Sequence, residues 1–210
     1  MNSESRFWDD LAESYAKKPV EDPAAFERKI ELTKERLRPS DVVLDIGCGT
    51  GSLALRLASS AAEVHGLDIS KEMIRIAKAK AVEAQADNVH FRVGPFDRTL
   101  GGFDPGSLDC ICAYSIIHLV KDRDAALAQM WKLLRPGGTL VSSTVVLGAS
   151  WIPFGPIIWT MRQFGKAPWV AIMKERELVS DLARAGFVDI ETPDVGAKST
   201  VAFVIARRPE

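Results

Sequence analysis

Residues 42–57 read VVLDIGCGTGSLALRL, and this stretch decides the fold. The apolar, β-branched run that ends at Ile46 predicts a buried strand, and glycines follow at positions 47, 49 and 51. A helical pattern then covers residues 53–61. Strand, glycine loop and helix in this order predict a tight turn at which a ligand can approach the main chain without meeting a Cβ atom.

The periodicity on both sides of this stretch extends the pattern to the whole chain. Strands and helices alternate, and the apolar strands are nearly continuous, which is typical of a parallel, doubly wound sheet covered on both faces. A short polar link at residues 192–198 predicts a final hairpin and therefore an antiparallel last pair. Strands are predicted at 64–67, 89–93, 108–114, 139–146, 188–191 and 199–206, and helices at 9–17, 23–38, 71–86, 124–134 and 175–185.

The composition narrows the class of protein. A length of 210 residues fits one domain with an extension, and a net charge of -1 supplies no uniform positive field, which argues against a nucleic-acid binder. Cys48, Cys110 and Cys112 support neither a disulfide framework nor a structural zinc site, and His65, His90 and His118 show no metal-ligand spacing. The first ten residues lack the features of a secretory signal. We therefore expect a cytoplasmic protein without a metal.

Two acidic residues specify the ligand of the glycine loop. Asp68 closes the next predicted strand, where doubly wound folds place an acid that binds a ribose diol. A dinucleotide loop would need a third glycine at position 52, which is Ser52 here, and Asp45 would repel a pyrophosphate. A nicotinamide oxidoreductase is therefore disfavoured. An adenosine ligand that carries a cationic amino-acid group fits both acids.

These motifs, with the segments His65 to Ser70, Met73 and Leu134 to Gly138 (LRPGG), resemble the class I S-adenosylmethionine-dependent methyltransferases, in the small-molecule group that includes ubiquinone-biosynthesis-type enzymes. The resemblance implies an α/β fold with a Rossmann-like, doubly wound, seven-stranded, mostly parallel sheet and an antiparallel C-terminal strand at its edge. It implies S-adenosylmethionine as cofactor, S-adenosylhomocysteine as product, and a small apolar or aromatic acceptor. A macromolecular acceptor and a non-catalytic binding module remain alternatives.

Carried over residue by residue, the resemblance assigns a cofactor site. Asp68 would bind the ribose hydroxyls, with Ile69 and Met73 against the adenine. After the third strand the family usually has Gly-Asp, and here Pro95 takes the position of the acid, so the adenine contact falls to Phe96 or Asp97. The methionine and ribose side would be bound by Asp45, Gly47, Cys48, Gly49 and Gly51, with Tyr114 nearby.

Three residues are candidates for a general base. His118 lies after the fourth strand, where the family often has paired histidines, and Tyr114 and Tyr15 are the other candidates. The alternative for His118 is a packed histidine, which we weigh above catalysis. Trp8 and Tyr15 of the first helix either fold over the cofactor or simply pack.

The remaining segment stands out by its aromatic residues. We divide one domain into a helical cover (1–40), a cofactor-binding core (41–146), an aromatic insertion (147–174) and a closing helix and hairpin (175–210). Residues 136–161 carry no charge, but prolines and glycines break them into a turn, a strand and an irregular loop, so no stable membrane insertion is expected. Three roles compete for the insertion: a lid over the acceptor, which we favour, a homodimer contact, or a membrane-touching patch. Its large aromatics are Trp151, Phe154, Trp159, Phe164 and Trp169.

Overall fold

The computed structural model describes residues 3–97, 100 and 102–210. Three short 3-10 turns, at Ala58–Ser60, Ile117–Leu119 and Leu147–Ala149, connect the main elements. The helices are α1 (Ser3–Lys17), α2 (Pro23–Lys34), α3 (Ser52–Leu57), α4 (Lys71–Glu83), α5 (Arg123–Leu133), α6 (Phe154–Gln163) and α7 (Glu175–Arg184), and the strands are β1 (Val42–Ile46), β2 (Glu63–Asp68), β3 (Val89–Val93), β4 (Leu108–Tyr114), β5 (Leu134–Val145), β6 (Val188–Glu191) and β7 (Val201–Arg207).

The seven strands form one sheet in the order β3-β2-β1-β4-β5-β7-β6. The pairs from β3 to β5 are parallel, and β7 runs antiparallel to both of its neighbours. The predicted fold class is confirmed. One detail differs: the antiparallel strand lies one place in from the edge, because β6 pairs with β7 and takes the edge position itself.

Hydrophobic residues on both faces of the sheet form the core. Neighbouring residues of β1 divide between the two faces: Leu44 joins the cluster that includes α5 and α7, whereas Val43 joins the cluster that includes α2, α3 and α4. This two-sided burial explains why the strands read as continuous apolar runs. The carboxyl ends of β1, β2 and β4 therefore meet at one edge of the sheet.

The start of β5 differs from the prediction. The strand begins at Leu134 rather than at residue 139, so the predicted turn at Pro136 to Gly138 lies inside it. A register shift opposite Leu108 and Cys110 accommodates the extra residues, and Gly137 adopts a positive φ of 71°. The local signal for a turn was real, but pairing with β4 and β7 turns it into a bulge.

The insertion also differs from the prediction of an irregular loop, because it contains α6. Pro153 precedes this helix and Pro156 lies in its first turn, where a missing N–H breaks no helical hydrogen bond. No helix among the described residues is both long and apolar enough to cross a membrane. Within the same residues, no group of three or more His, Cys, Asp or Glu side chains is arranged to hold a metal ion.

Candidate functional site

The glycine loop joins β1 to α3 at the carboxyl edge of the sheet. Gly47, Gly49 and Gly51 all have positive φ angles, of 67°, 54° and 79°. The backbone N–H groups of Gly47 and Cys48 donate to the carbonyl oxygen of Leu67, at 2.7 and 3.1 Å. The loop is thus bound to the end of β2, and its conformation favours glycine at three positions.

The three glycines have different surroundings. A Cβ atom at Gly47 would lie 2.9 Å from Cδ1 of Ile116, and one at Gly51 would lie 2.6 Å from Cζ of Phe91. At Gly49 the nearest atom would be Cε1 of Tyr15, 3.8 Å away. Gly47 and Gly51 are therefore needed for close packing inside the protein, and only Gly49 leaves room beside the main chain.

Asp68 lies at the end of β2 and supports the loop. Its Oδ2 accepts a hydrogen bond from the Gly49 N–H at 2.9 Å, and its Oδ1 accepts one from the Ser70 N–H at 2.9 Å. Burial raises the pKa of Asp68, these two hydrogen bonds oppose the shift, and the charge of Asp9 adds to it. A carboxylate offers about four acceptor sites, so Asp68 can still accept a hydrogen bond from a hydroxyl group.

Asp45 is the most unusual group of the site. It is 1% exposed, and its Oδ2 has no hydrogen-bond partner in the described part of the chain. Burial, followed by the charge of Asp68, raises the pKa of Asp45 to about 8. Without a cationic neighbour the group is therefore mostly protonated near neutral pH, and a bound cationic donor would favour its ionised form.

Helix α1 adds two residues to the site. Oδ1 of Asp9 accepts hydrogen bonds from the Ser70 hydroxyl at 2.7 Å and from the Glu72 N–H at 3.1 Å, which attaches α1 to the start of α4. Tyr15 lies over Gly49, and burial followed by the charges of Asp68 and Asp45 raises the pKa of its phenol. Tyr15 was predicted from the sequence, whereas Asp9 was not, because nothing local distinguishes this acid from its neighbour Asp10.

The residues predicted for the adenine side are only partly brought together. The Gly94 N–H donates to the backbone oxygen of Asp68 at 2.9 Å, which places the turn with Pro95, Phe96 and Asp97 beside that acid. Pro95 and Asp97 are exposed, and Phe96 packs partly against the core.

Two of the predicted cofactor residues point into the protein instead. Met73 is buried with Ala12 and Ile76 between α1 and α4, so its side chain supports the cover rather than facing an open site. Cys48 belongs to the loop through its backbone, but its side chain packs into the core next to Gly66. Burial, with the charges of Asp45 and Asp68, raises the pKa of the Cys48 thiol, which excludes a reactive thiolate.

Tyr114 requires a correction both as a candidate base and as a cofactor ligand. Its hydroxyl donates to the carbonyl oxygen of Lys29 at 3.1 Å and shares a hydrogen bond of 2.8 Å with the Thr33 hydroxyl. Burial is the main cause that raises the pKa of this phenol. The hydroxyl is thus bound by α2, and Tyr114 fastens that helix to the sheet.

His118 lies in the turn after β4 and is close to the glycine loop through Ile116. Its side chain is buried, its Nδ1 has no partner among the described residues, and burial lowers its pKa to about 4. The imidazole is therefore neutral at physiological pH. It can exchange a hydrogen bond with a hydroxyl group but stores a proton poorly.

The aromatic insertion divides into two parts. Its returning segment crosses the turn after β4, where the Ala171 N–H donates to the backbone oxygen of His118 at 2.8 Å, and Trp169 packs against the core. The Gly148 N–H donates to the Met173 oxygen at 2.8 Å and closes the base of the insertion. Helix α6 lies outside this contact, with no buried residue. The returning segment is therefore attached to the turn that carries His118.

Comparisons with known proteins agree with this geometry. The chain is 34% identical over 107 residues to a ubiquinone biosynthesis O-methyltransferase of Xanthomonas campestris pv. campestris (strain B100), an alignment that covers 51% of this chain and 44% of that protein. It is 30% identical over 197 residues to the O-methyltransferase cnsE of Penicillium expansum, which covers 90% of this chain and 66% of that protein. The chain thus spans under half of the length of the first of these relatives.

A solved structure shows the same fold. Phosphoethanolamine N-methyltransferase 2 of Haemonchus contortus, in complex with phosphomonomethylethanolamine and S-adenosylhomocysteine, superimposes with a TM-score of 0.73 at 18% identity, over 88% of this chain and 53% of that one. A family profile described as a methyltransferase domain matches residues 37–179, from before β1 into α7 and well over half of the chain. With the sheet order, the glycine loop and the two acids in place, the chain belongs to the methyltransferase-domain family.

Proposed function

We propose that this protein transfers a methyl group from S-adenosylmethionine to a small apolar or aromatic molecule. The observation that carries the proposal is the unpartnered, buried Oδ2 of Asp45. A carboxylate in that position suits the ammonium group of the cofactor and would repel a pyrophosphate. The O- and C-methyltransferase names of the relatives support the same reaction class.

The residues of the site fit the parts of this cofactor. Asp68 accepts hydrogen bonds from the ribose hydroxyls while the Gly49 and Ser70 N–H groups hold its orientation. The turn with Phe96 covers the adenine, and Gly49 lets the methionine part pass close to the main chain. Asp9, Asp45 and Asp68 together make the site acidic, which suits a ligand with two positive charges.

The chain contributes mainly alignment. The bound cofactor supplies an already electrophilic methyl group, so the protein needs to orient the acceptor and exclude water, effects worth about 7–11 kcal/mol in well-oriented systems. Tyr15 and the returning segment of the insertion close the site on two sides. The neutral imidazole of His118 holds a hydroxyl acceptor by a hydrogen bond, and a weakly basic imidazole fits an acceptor that loses its proton readily.

Calorimetry with S-adenosylmethionine, S-adenosylhomocysteine and NAD tests the proposal, together with transfer of a labelled methyl group to a panel of phenols and enols. We expect the two adenosyl compounds to bind and Asp45→Asn to weaken them by at least about tenfold, because a neutral amide loses the charge interaction. Asp41→Asn is the matched control, because Asp41 is also buried but lies at the opposite end of β1. Binding of NAD, or equal effects of the two variants, would overturn the proposal, and binding without transfer to any acceptor would favour a non-catalytic module.

A further inference from the structure

Helix α6 is poorly covered by the rest of the protein. None of its ten residues is buried, whereas α5 and α7, of similar length, each bury at least three side chains. Trp159 is 62% exposed, Phe164 at the end of the helix is 73% exposed, and Trp151 just before it is 92% exposed. Large aromatics in contact with water indicate a surface that another phase or molecule covers.

Most of the surface of α6 is uncharged, because Arg162 is the single charged residue of this helix. Phe154 and Ile158, four residues apart, are half-buried and mark the side that faces the rest of the protein. The opposite side carries Pro156, Thr160 and Gln163, with Trp159 and Phe164 at its borders, whereas Ile157 and Met161 lie nearer to Phe154. Trp159 and Phe164 are therefore the side chains that can enter a lipid interface from this side, and no charged residue lies between them.

The charged residues of the insertion are all positive. Residues 136–174 contain no Asp or Glu, and their three charged residues are Arg162, Lys166 and Lys174, although the whole chain carries a net charge of -1. None of the three forms an ion pair within the part of the chain that the structure describes. The acids that follow begin α7, where Glu177 accepts a hydrogen bond from the Lys174 N–H at 3.0 Å.

These charges distinguish the possible occupants. In a twofold contact between copies the same patch supplies both surfaces, and residues 136–174 contain no acid that could pair with the three cations of the other copy. A lid would need α6 to pack over the site, but the backbone hydrogen bond to the His118 oxygen comes from Ala171 of the returning segment, and α6 buries none of its residues. An anionic lipid surface fits both the cations and the exposed aromatic side chains. Its headgroups attract the cations, while tryptophan and phenylalanine side chains enter the interface.

We propose that residues 151–166 form a docking surface for an anionic bilayer, with α6 lying in the interface and Arg162 and Lys166 on the headgroups. The surface is continuous with the segment that covers His118, so docking would bring the acceptor side of the site next to the lipid phase. The proposal concerns binding alone and stands even if the proposed methyl transfer fails.

Flotation of the full chain with vesicles tests this proposal. We expect binding to vesicles of phosphatidylcholine and phosphatidylserine in a three-to-one ratio, at least about tenfold weaker binding to pure phosphatidylcholine, and weaker binding in high salt. Arg162→Ser combined with Lys166→Ser should weaken binding by about 30-fold, on the basis of the usual contribution of each basic residue near an anionic surface. Trp151→Ser combined with Trp159→Ser should weaken it by at least about tenfold.

Matched controls lie elsewhere on the surface. Val82→Ser removes an apolar side chain that is exposed on α4, and Lys17→Ser combined with Lys18→Ser removes two exposed cations near the end of α1; neither should change binding. Three results would overturn the proposal: no flotation of the unaltered chain, equal losses in the controls, or a concentration-dependent dimer that the tryptophan variants abolish. A fall in acrylamide quenching when S-adenosylhomocysteine is added without lipid, lost in Trp159→Ser, would identify α6 as a lid instead.

Discussion

The glycine loop and α6 both follow strands whose carboxyl ends lie at the same edge of the sheet, yet they use their residues in opposite ways. The N–H groups of the loop already donate to the backbone oxygen of Leu67 and to the carboxylate of Asp68. Gly47 and Gly51 pack against apolar side chains, so little of the loop is open. Helix α6 is apolar but open, with Trp159 and Phe164 in water. The loop therefore leaves one buried acceptor beside it without a partner, Asp45 Oδ2, whereas α6 leaves an extended surface with large aromatic side chains in water.

This comparison shows two ways in which a chain signals a missing partner. A buried polar atom without a hydrogen bond indicates a small ligand of defined charge, because the cost is localised at one atom. An exposed apolar face indicates an extended partner, because the cost is spread over an area. Each of the following changes should affect one region and spare the other.

The largest effect should come from Asp68→Ala. The change removes the proposed acceptor of the ribose hydroxyls and leaves the Gly49 and Ser70 N–H groups without their partner. We therefore expect S-adenosylmethionine to bind about 100-fold more weakly, as for the loss of two charge-assisted hydrogen bonds. Asp10→Ala, an exposed acid on α1, serves as the control in the same calorimetric titration. If both variants bind the cofactor equally well, Asp68 does not contact it.

Two glycines, one in the glycine loop and one just after α6, allow a direct comparison of the two regions. Gly47 and Gly165 have nearly the same φ, 67° and 65°, but a Cβ at Gly165 would meet nothing within 4 Å. Gly165→Ala should cost only the conformational strain, about 1–2 kcal/mol, whereas Gly47→Ala adds a collision with Ile116 and should cost about 2–5 kcal/mol in urea unfolding.

Ile116→Ala should recover part of the loss in the Gly47→Ala background, because it removes the colliding side chain. Equal costs of the two single substitutions would mean that Ile116 moves aside without a penalty.

Asp45 should make the stability of the ligand-free protein depend on pH. Its pKa in the folded chain is about 8 against 3.8 for the model compound, so its contribution to stability is full below about pH 4 and is lost as the pH rises through 8. Affinity for the cofactor should change in the opposite direction, rising from about pH 5 to about pH 7.5, because the carboxylate is the form that binds an ammonium group.

Urea unfolding at several pH values measures how stability depends on pH, and calorimetry at the same pH values measures how cofactor affinity does. Asp45→Asn should flatten them and should stabilise the ligand-free chain near pH 8. The same pH dependence in this variant would assign the titration to another group.

The smallest effect should come from Trp151→Ser. A side chain that is 92% exposed contributes little to folding, so we expect a change within about 0.5 kcal/mol, whereas Leu178→Ala, at a fully buried position of α7, should cost about 2–5 kcal/mol. A loss above about 1 kcal/mol for Trp151→Ser would show that this residue packs against the protein in solution.

The pattern of the chain was sufficient for most of the fold. Each of the seven predicted strands is present, and Ser70 caps α4, with its hydroxyl accepting from the Met73 N–H at 3.1 Å. Strand periodicity, glycines and helix caps act over a few residues, so a local sequence can specify them. The predictions were less accurate where distant pairing overrides a local signal, as at Pro136 to Gly138.

The candidate site was predictable in its residue types but not in their orientations. The positions of Asp45 and Asp68 follow from their places at strand ends, because parallel strands bring their carboxyl ends together. The orientations of Met73, Cys48 and Tyr114 depend on which helix packs over them, and the packing of α1 and α2 is decided by contacts between residues far apart in the chain. Asp9 was missed for the same reason.

The sequence by itself thus determined the sheet, the glycine loop and the two acids, because these follow from backbone conformation and from the order of elements. Only the tertiary structure decided that Asp45 Oδ2 has no partner, that Tyr114 is bound by α2, and that α6 turns its aromatic residues outward. Hydrogen-bond satisfaction and burial are properties of surfaces brought together from distant segments, and no local pattern can encode them.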